Sequence, residues 1–180
     1  SAAKPTATCL AEDAVAETGM GVVADKEIKN LLATRDLYQY IANMKTAGVI
    51  RRDEERKVLE IAEPMGVIAA LIPTTNPTST AMYKAIIAIK SRNTIVISPH
   101  PRAVKCTTDA ARIVAEAAVE AGAPEGIVQV LQTVHMAATN ELMRHPKVSM
   151  ILATGGSAMV KAAYQSGTPA LGVGPGNVPV

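Results

Sequence analysis

The sequence predicts an α/β domain: a doubly wound parallel sheet preceded by N-terminal helices and a protruding β-hairpin. Three observations carry that prediction. "GVIAALI" at 66–72 and "TIVIS" at 94–98 are uninterrupted apolar runs, too short for helices, as strands covered on both faces require. Each is followed by a segment with helical spacing of apolar residues. The connections are short, which implies stacked strand–helix–strand units.

The chain opens on a helix, "CLAEDAVAETGM", with Gly19 placed to stop it. A second helix is expected from Asp25 as N-cap, with Ile28, Leu31, Leu32, Tyr38 and Ile41 along one face. Residues 48–62, "GVIRRDEERKVLEIA", read as two strands around a charged tip, an exposed hairpin of the kind that pairs with another element. After the 66–72 strand, Met82, Ala85, Ile86 and Ile89 mark a helical stripe. The 94–98 strand leads to a long helix from about Arg102, with Cys106, Ala110, Ile113, Val114 and Ala117 on its core face and Gly122 at its end. "GIVQVL" at 126–131, a helix over 136–144, "VSMILA" at 148–153, a helix near 158–165 and "PALGV" complete the alternation. The organisation reads as N-terminal helices over 1–47, the hairpin over 48–62, and a nucleotide-binding α/β region over 63–180.

A chain of 180 residues supports one core-forming domain. That core must be aliphatic, because Phe and Trp are absent and only four tyrosines are present. A net charge of +2, with the densest run "RRDEERK" alternating in sign, lacks a nucleic-acid footprint. There is no apolar run long enough to span a membrane and no signal-peptide stretch, so a cytoplasmic, reducing setting is expected. Cys9 and Cys106 form no C-x-x-C pair. His100, His135 and His145 lack ligand spacing, and no metal site is expected. Cys106, on a core stripe, reads as a small hydrophobe.

Ligands of such sheets collect beyond the carboxyl ends of the strands. Two loops fall there. "PTTNP" at 73–77 follows the first apolar strand, and Thr154-Gly155-Gly156-Ser157 follows "MILA". Taken alone, Asn76-Pro77 is a turn-starting pair and "TGGS" a tight turn with Ser157 as N-cap. The glycines would equally let backbone amides approach an anion at the helix's positive end. "GVGPG" at 172–176 does not open a helix, and no G-x-G-x-x-G occurs anywhere in the chain.

Four stretches taken together point further: "AETGM" at 16–20, "EPMGVIAALIPTTNP" at 63–77, "AGAPEGIVQVL" at 121–131 and "HPKVSMILATGGS" at 145–157. In order and spacing they resemble the aldehyde dehydrogenase superfamily, over nearly the whole chain. "PTTNPTST", "SPHPRA" and "GVGPGNVPV" look like its CoA-acylating branch, including the aldehyde dehydrogenase half of bifunctional aldehyde–alcohol dehydrogenases. Microcompartment and sulfoacetaldehyde enzymes are also similar. The resemblance implies a Rossmann-like aldehyde dehydrogenase fold and a homo-oligomer assembled through the 48–62 hairpin. It further implies a cytoplasmic or microcompartment enzyme.

The resemblance implies a reaction as well. A cysteine thiolate adds to an aldehyde, hydride passes to NAD, and coenzyme A takes the acyl group from the resulting thioester. The family's nucleophile falls beyond Val180, and neither Cys9 nor Cys106 matches it, so the chain resembles the first portion of a larger enzyme. Leu71, Ile72, Pro73, Thr74, Thr75 and Asn76 would wall the nicotinamide end of the cofactor. The loop would offer an oxyanion donor at Asn76 or Thr75, an assignment left open by the departure from P-W-N-x-P. Thr154, Gly155, Gly156 and Ser157 match the pyrophosphate-side turn, and Gly174 a glycine near the nicotinamide. Hydrolytic relatives carry a Glu in E-L-G-G-K. Here "ALGVGPGNV" has no carboxylate, which favours CoA over water as acceptor. "SPHPRA" lacks the Lys and Glu with which many relatives hold the adenosine ribose. His100 faces that site or is a plain loop histidine. NAD is the expected cofactor, with NADP open. Two other readings stand beside this one: a non-catalytic nucleotide-binding or oligomerisation module, and part of a hydrolytic semialdehyde dehydrogenase.

Overall fold

The structure is a computed structural model that describes residues 5–174. The remainder of the "GVGPGNVPV" stretch, beyond Gly174, lies outside the described residues. The helix α1 spans Thr6–Thr18. It ends at Gly19, whose φ of 67° is the left-handed conformation that halts a helix and that glycine adopts without a Cβ clash. A second helix, α2 (Val23–Leu31), runs through a π-helical turn (Leu32–Asp36) into α3 (Leu37–Ile41).

Two expectations fail in this segment. α2 begins at Val23, with Asp25 inside its first turn rather than at the cap. The apolar stripe faces outward: Ile28, Leu32 and Tyr38 are 66%, 60% and 64% exposed, while Lys26 and Asn30 are buried. The helix is inverted because its inward polar groups have distant partners, described below, that no local period encodes.

Strands β1 (Gly48–Asp53) and β2 (Val58–Ala62) form the antiparallel hairpin. Val49, Ile50, Leu59 and Ile61 on it are exposed. The main sheet follows: β3 (Val67–Leu71), α4 (Pro77–Lys90), β4 (Thr94–Ser98), α5 (Val104–Glu120), β5 (Val128–Val130), α6 (Met136–Arg144), β6 (Val148–Thr154), α7 (Ser157–Tyr164) and β7 (Ala170–Val173). Its strands are all parallel, in the order β5-β4-β3-β6-β7. The chain therefore starts in the middle, moves outward to β5, and returns to the other side of β3.

That path wraps both faces. Ile68, Ala70 and Ile72 point to one side and pack with α1, α4 and α5, while Ala69 and Leu71 point to the other with Met143 of α6 and Ala163 of α7. The period of two assigns successive residues to opposite cores. Alanines at 69 and 70 let helices approach closely from both sides. At the sheet edge, Gly172 is required: a Cβ there would lie 2.5 Å from Val160 Cγ1.

The start of α5 has no cap from its own Ala103. Glu17 of α1 supplies one, accepting from the N–H of Lys105 at 2.9 Å and of Cys106 at 2.7 Å. Burial acts to raise its pKa, but the backbone donors at Cys106, Lys105 and Val104 outweigh it and hold the carboxylate below its ordinary range. The "AETGM" stretch thus joins α1 to the sheet-covering layer.

Candidate functional site

The chain reverses direction between β3 and β6, and the crevice beyond their carboxyl ends is the topological switch point. A cleft of about 630 Å³ opens there. Of the residues expected from sequence, Leu71, Ile72, Pro73, Thr74, Thr75, Thr154, Gly155, Gly156 and Gly174 all line it. Asn76 does not. It faces an adjoining groove of about 570 Å³ whose other walls include Leu32, Leu37, Tyr40 and Tyr83. Thr154 and Val173 border both spaces, so Asn76 stands beside the junction between them. Ser157 lines neither. Its expected capping role also fails, since Gly156 is the N-cap of α7 and Ser157 the first helical residue, with no side-chain cap bond.

On the β6 side, Gly156 brings backbone to the cleft with nothing within 4 Å of where a Cβ would stand. The N-terminal N–H groups of α7 lie behind it, where the helix dipole favours an anion. The cleft floor holds a pair of hydroxyls, Ser98 Oγ and Thr139 Oγ1, 2.9 Å apart. The far wall carries His100 and His135. His100 Nδ1 accepts from the Arg102 N–H at 3.1 Å, and His135 Nδ1 from Ala138 at 3.0 Å as the N-cap of α6. Burial, followed by the Arg102 charge, lowers the His100 pKa. Together these supply an apolar wall, an amide-rich rim and two imidazoles around one cleft. Apolar side chains beside open, glycine-lined backbone at a helix N-terminus are a lining whose chemistry suits a nucleotide.

On the β3 side, lysines that the sequence reading missed hold the loop. Lys26 Nζ donates to Thr75 O at 2.7 Å, and Lys29 Nζ to Asn76 Oδ1 at 3.1 Å. Burial, then the neighbouring charge of Lys29, lowers the Lys26 pKa. Lys84, only 3% exposed, donates to Leu71 O at 2.8 Å and Leu152 O at 2.7 Å, bridging β3 to β6 directly below the crevice. Burial pushes its pKa down to about 7. A neutral amine retains two N–H groups, so both carbonyls stay satisfied after deprotonation. One signal for Lys84 was available: with Ala81 and Ala88 it shares the inward stripe of α4, where a charge is out of place.

The thiol at Cys106 is buried, and burial, with the Glu17 carboxylate beside it, raises its pKa to about 12. Such a thiol is structural rather than nucleophilic.

An open parallel sheet wound in both directions, with a cleft at its switch point, defines an α/β domain of the kind that takes ligands beyond its strand ends. The aldehyde dehydrogenase family pattern matches residues 6–172, and the chain belongs to that family. It is 52% identical over 171 residues to the bifunctional aldehyde-alcohol dehydrogenase AdhE of Escherichia coli K12, a match covering 95% of this chain and 19% of that protein. The crystal structure of an acetylating aldehyde dehydrogenase from Geobacillus thermoglucosidasius superposes with a TM-score of 0.93 at 60% identity, covering 96% of this chain and 38% of that one. A propionaldehyde dehydrogenase from Rhodopseudomonas palustris, solved with bound propionyl-CoA, superposes at 0.82 with 36% identity, covering 96% and 37%. The chain thus spans about a fifth of the aldehyde-alcohol dehydrogenase and under two fifths of these two solved enzymes. Among the described residues no helix is long and apolar enough to cross a membrane.

Proposed function

We propose that this chain forms the NAD-binding part of a CoA-acylating aldehyde dehydrogenase, which converts an aldehyde, NAD and coenzyme A to an acyl-CoA. The observation that carries the reading is the pairing of the two strand-end loops at the switch point, within a fold whose solved relatives include an acetylating aldehyde dehydrogenase and a propionaldehyde dehydrogenase with bound propionyl-CoA. NAD supplies the hydride acceptor when bound. The residues that would hold it are Leu71, Ile72, Pro73, Thr74 and Thr75 on the nicotinamide side, Thr154, Gly155 and Gly156 on the phosphate side, and Gly174 near the ring. Leu71 to Pro73 exclude water from one face. The α7 amides meet negative charge.

Asn76 lines the apolar groove, beside its junction with the cleft. A small aldehyde lying in that groove would present its carbonyl oxygen to the Thr75–Asn76 segment, whose N–H groups can donate to that oxygen as negative charge develops on it. The attacking thiolate is not assigned to Cys9 or Cys106, and in this reading it comes from a further part of the enzyme. The absence of a carboxylate in "ALGVGPGNV" leaves water without a base at that place, which favours a thiol acceptor. The exposed apolar side chains of the 48–62 hairpin support assembly into a homo-oligomer through β1 and β2.

The test is an assay of the full-length protein with aldehyde, NAD and CoA. Acyl-CoA and NADH formed in equal amounts are expected. Carboxylate release without CoA would replace the acylating reading by a hydrolytic one.

A further inference from the structure

Asn76 is the N-cap of α4, yet its side chain does not cap that helix. An asparagine there ordinarily turns Oδ1 back onto the N–H of the second or third helical residue. Here Oδ1 accepts from Lys29 Nζ instead. Pro77 opens the helix and has no N–H to satisfy. A carboxamide has one accepting and one donating end. With Oδ1 engaged by α2, Nδ2 is turned away from Lys29 as a donor.

One residue earlier the backbone is fixed in the same manner. Lys26, 4% exposed, donates to Thr75 O at 2.7 Å. The Thr75–Asn76 peptide is trans, so planarity sets the Asn76 N–H antiparallel to that carbonyl. Holding the oxygen towards α2 therefore points the N–H away from it. Lys26 and Lys29 lie three residues apart on one side of α2, as neighbours on a helix do. Asn30 anchors the same side: it accepts from Thr78 Oγ1 at 2.8 Å and donates to Ala7 O at 3.0 Å. The polar face of α2 thus meets α4, α1 and the strand-end loop, each contact made by a hydrogen bond. A satisfied polar network of this sort specifies geometry more than it adds stability.

We infer that Lys26 and Lys29 are positioning residues, which aim the backbone and side-chain N–H groups of Asn76 at the reacting carbonyl oxygen by holding Thr75 O and Asn76 Oδ1 from behind. The inference rests on the acylating reading above. It divides the donor between two groups of one residue, Lys26 orienting the backbone and Lys29 the carboxamide.

The experiment is a double-mutant cycle of Lys29→Met and Asn76→Ala in the full-length enzyme. Lys29→Met is expected to lower kcat about tenfold, part of the roughly 10²–10³ that a lost oxyanion donor costs. The aldehyde KM and NAD Kd should stay within about twofold, and Lys29→Arg should recover most of the rate. In the Asn76→Ala background, Lys29→Met should have no further effect, because it acts through that side chain. Additive losses, or an unchanged kcat in Lys29→Met, would overturn the inference. A crystal structure of the Lys29→Met protein supplies a readout independent of turnover. The Asn76 amide is expected to swing back and cap α4 through the N–H of Thr78 or Ser79, and an unmoved amide refutes the clamp. A wild-type enzyme that forms no acyl-CoA would sink the acylating reading, while that crystal structure would still decide the clamp.

Discussion

The two rims of the cleft are built in opposite ways. The loop after β3 is held by two lysines of α2, Lys26 on Thr75 O and Lys29 on Asn76 Oδ1, above a strand end that Lys84 ties to β6 through Leu71 O and Leu152 O. The loop after β6 receives no side-chain hydrogen bond over 154–156 among the described residues; its bonds are backbone ones, from Gly155 N–H to Val173 O at 3.2 Å and from the Met159 and Val160 N–H groups to Gly156 O at 3.0 and 3.1 Å. The difference matches two kinds of task. A single donor aimed at one oxygen has to be over-determined, since a small displacement removes most of its effect. A row of helix-terminal amides meeting a diffuse anion needs only to be open and glycine-lined.

The largest effect should come from the over-determined rim. Asn76→Ala is expected to lower the turnover of the full-length enzyme by about 10²–10³, or roughly 3–4 kcal/mol, with NAD affinity unchanged. Steady-state kinetics alongside a cofactor titration check both halves. Loss of cofactor affinity with turnover preserved would reverse the roles assigned to the two rims.

Next in size is the strut between the rims. Lys84→Met fills the same space but leaves Leu71 O and Leu152 O without their donor, at a cost of about 2–4 kcal/mol in stability. The pH dependence has a definite sign. Burial lowers the Lys84 pKa to about 7 from an ordinary 10.5, so between those values the unfolded chain binds the extra proton. The penalty on the folded state is fully present below about pH 7 and disappears as pH rises towards 10.5. Denaturation midpoints of wild type and Lys84→Met should therefore diverge as pH rises above 7, in favour of wild type. A difference that stays flat across that window would place the ammonium in a more polar setting than its burial indicates.

The open rim should respond more weakly. Gly156→Val places carbon in the space where the anion would sit, and is expected to raise the NAD Kd about tenfold, the worth of one charge-assisted hydrogen bond. Turnover at saturating NAD should change little. Isothermal titration reads the first quantity and saturation kinetics the second.

The open rim was also the more legible of the two. Gly155 and Gly156 carry their own conformational signal, and the apolar runs at 66–72 and 94–98 fixed where the strands end, because a strand covered on both faces has no polar alternation to blur it. Gly19 and the Cys106–Ala110–Ile113 stripe were readable for similarly local reasons. The braced rim was hidden. Lys26 meets a carbonyl 49 residues away and Asn30 a hydroxyl 48 away, so no window of sequence contains both partners. The outward stripe of Ile28, Leu32 and Tyr38 misled for the same cause: periodicity identifies an apolar face but not which element covers it. Ser157 was misplaced by one position because Gly156 satisfies the cap geometry without a side chain.

The smallest expected effect tests how far the bracing extends. Lys26 and Lys29 hold their loop only as firmly as α2 is held, and α2 is fixed to α1 through Asn30 and Ala7 O. α1 is in turn joined to α5 through the Glu17 cap. Glu17→Gln keeps the shape and weakens the acceptor, which should cost about 0.5–1 kcal/mol at a largely exposed cap. The carboxylate's pKa is lowered in the folded protein, so the stabilisation is fully present above its ordinary value of 4.5 and is lost as pH falls below that. Wild type and Glu17→Gln should accordingly converge in denaturation midpoint on acidification. If the joint transmits to the braced rim, Glu17→Gln also lowers turnover by a small factor while the NAD Kd stays fixed, since the 154–156 rim rests on α7 and β6 and owes nothing to α1. A fall in cofactor affinity with no change in turnover would mean that α1 supports the sheet as a whole, and that the two rims are less independent than their hydrogen bonds indicate.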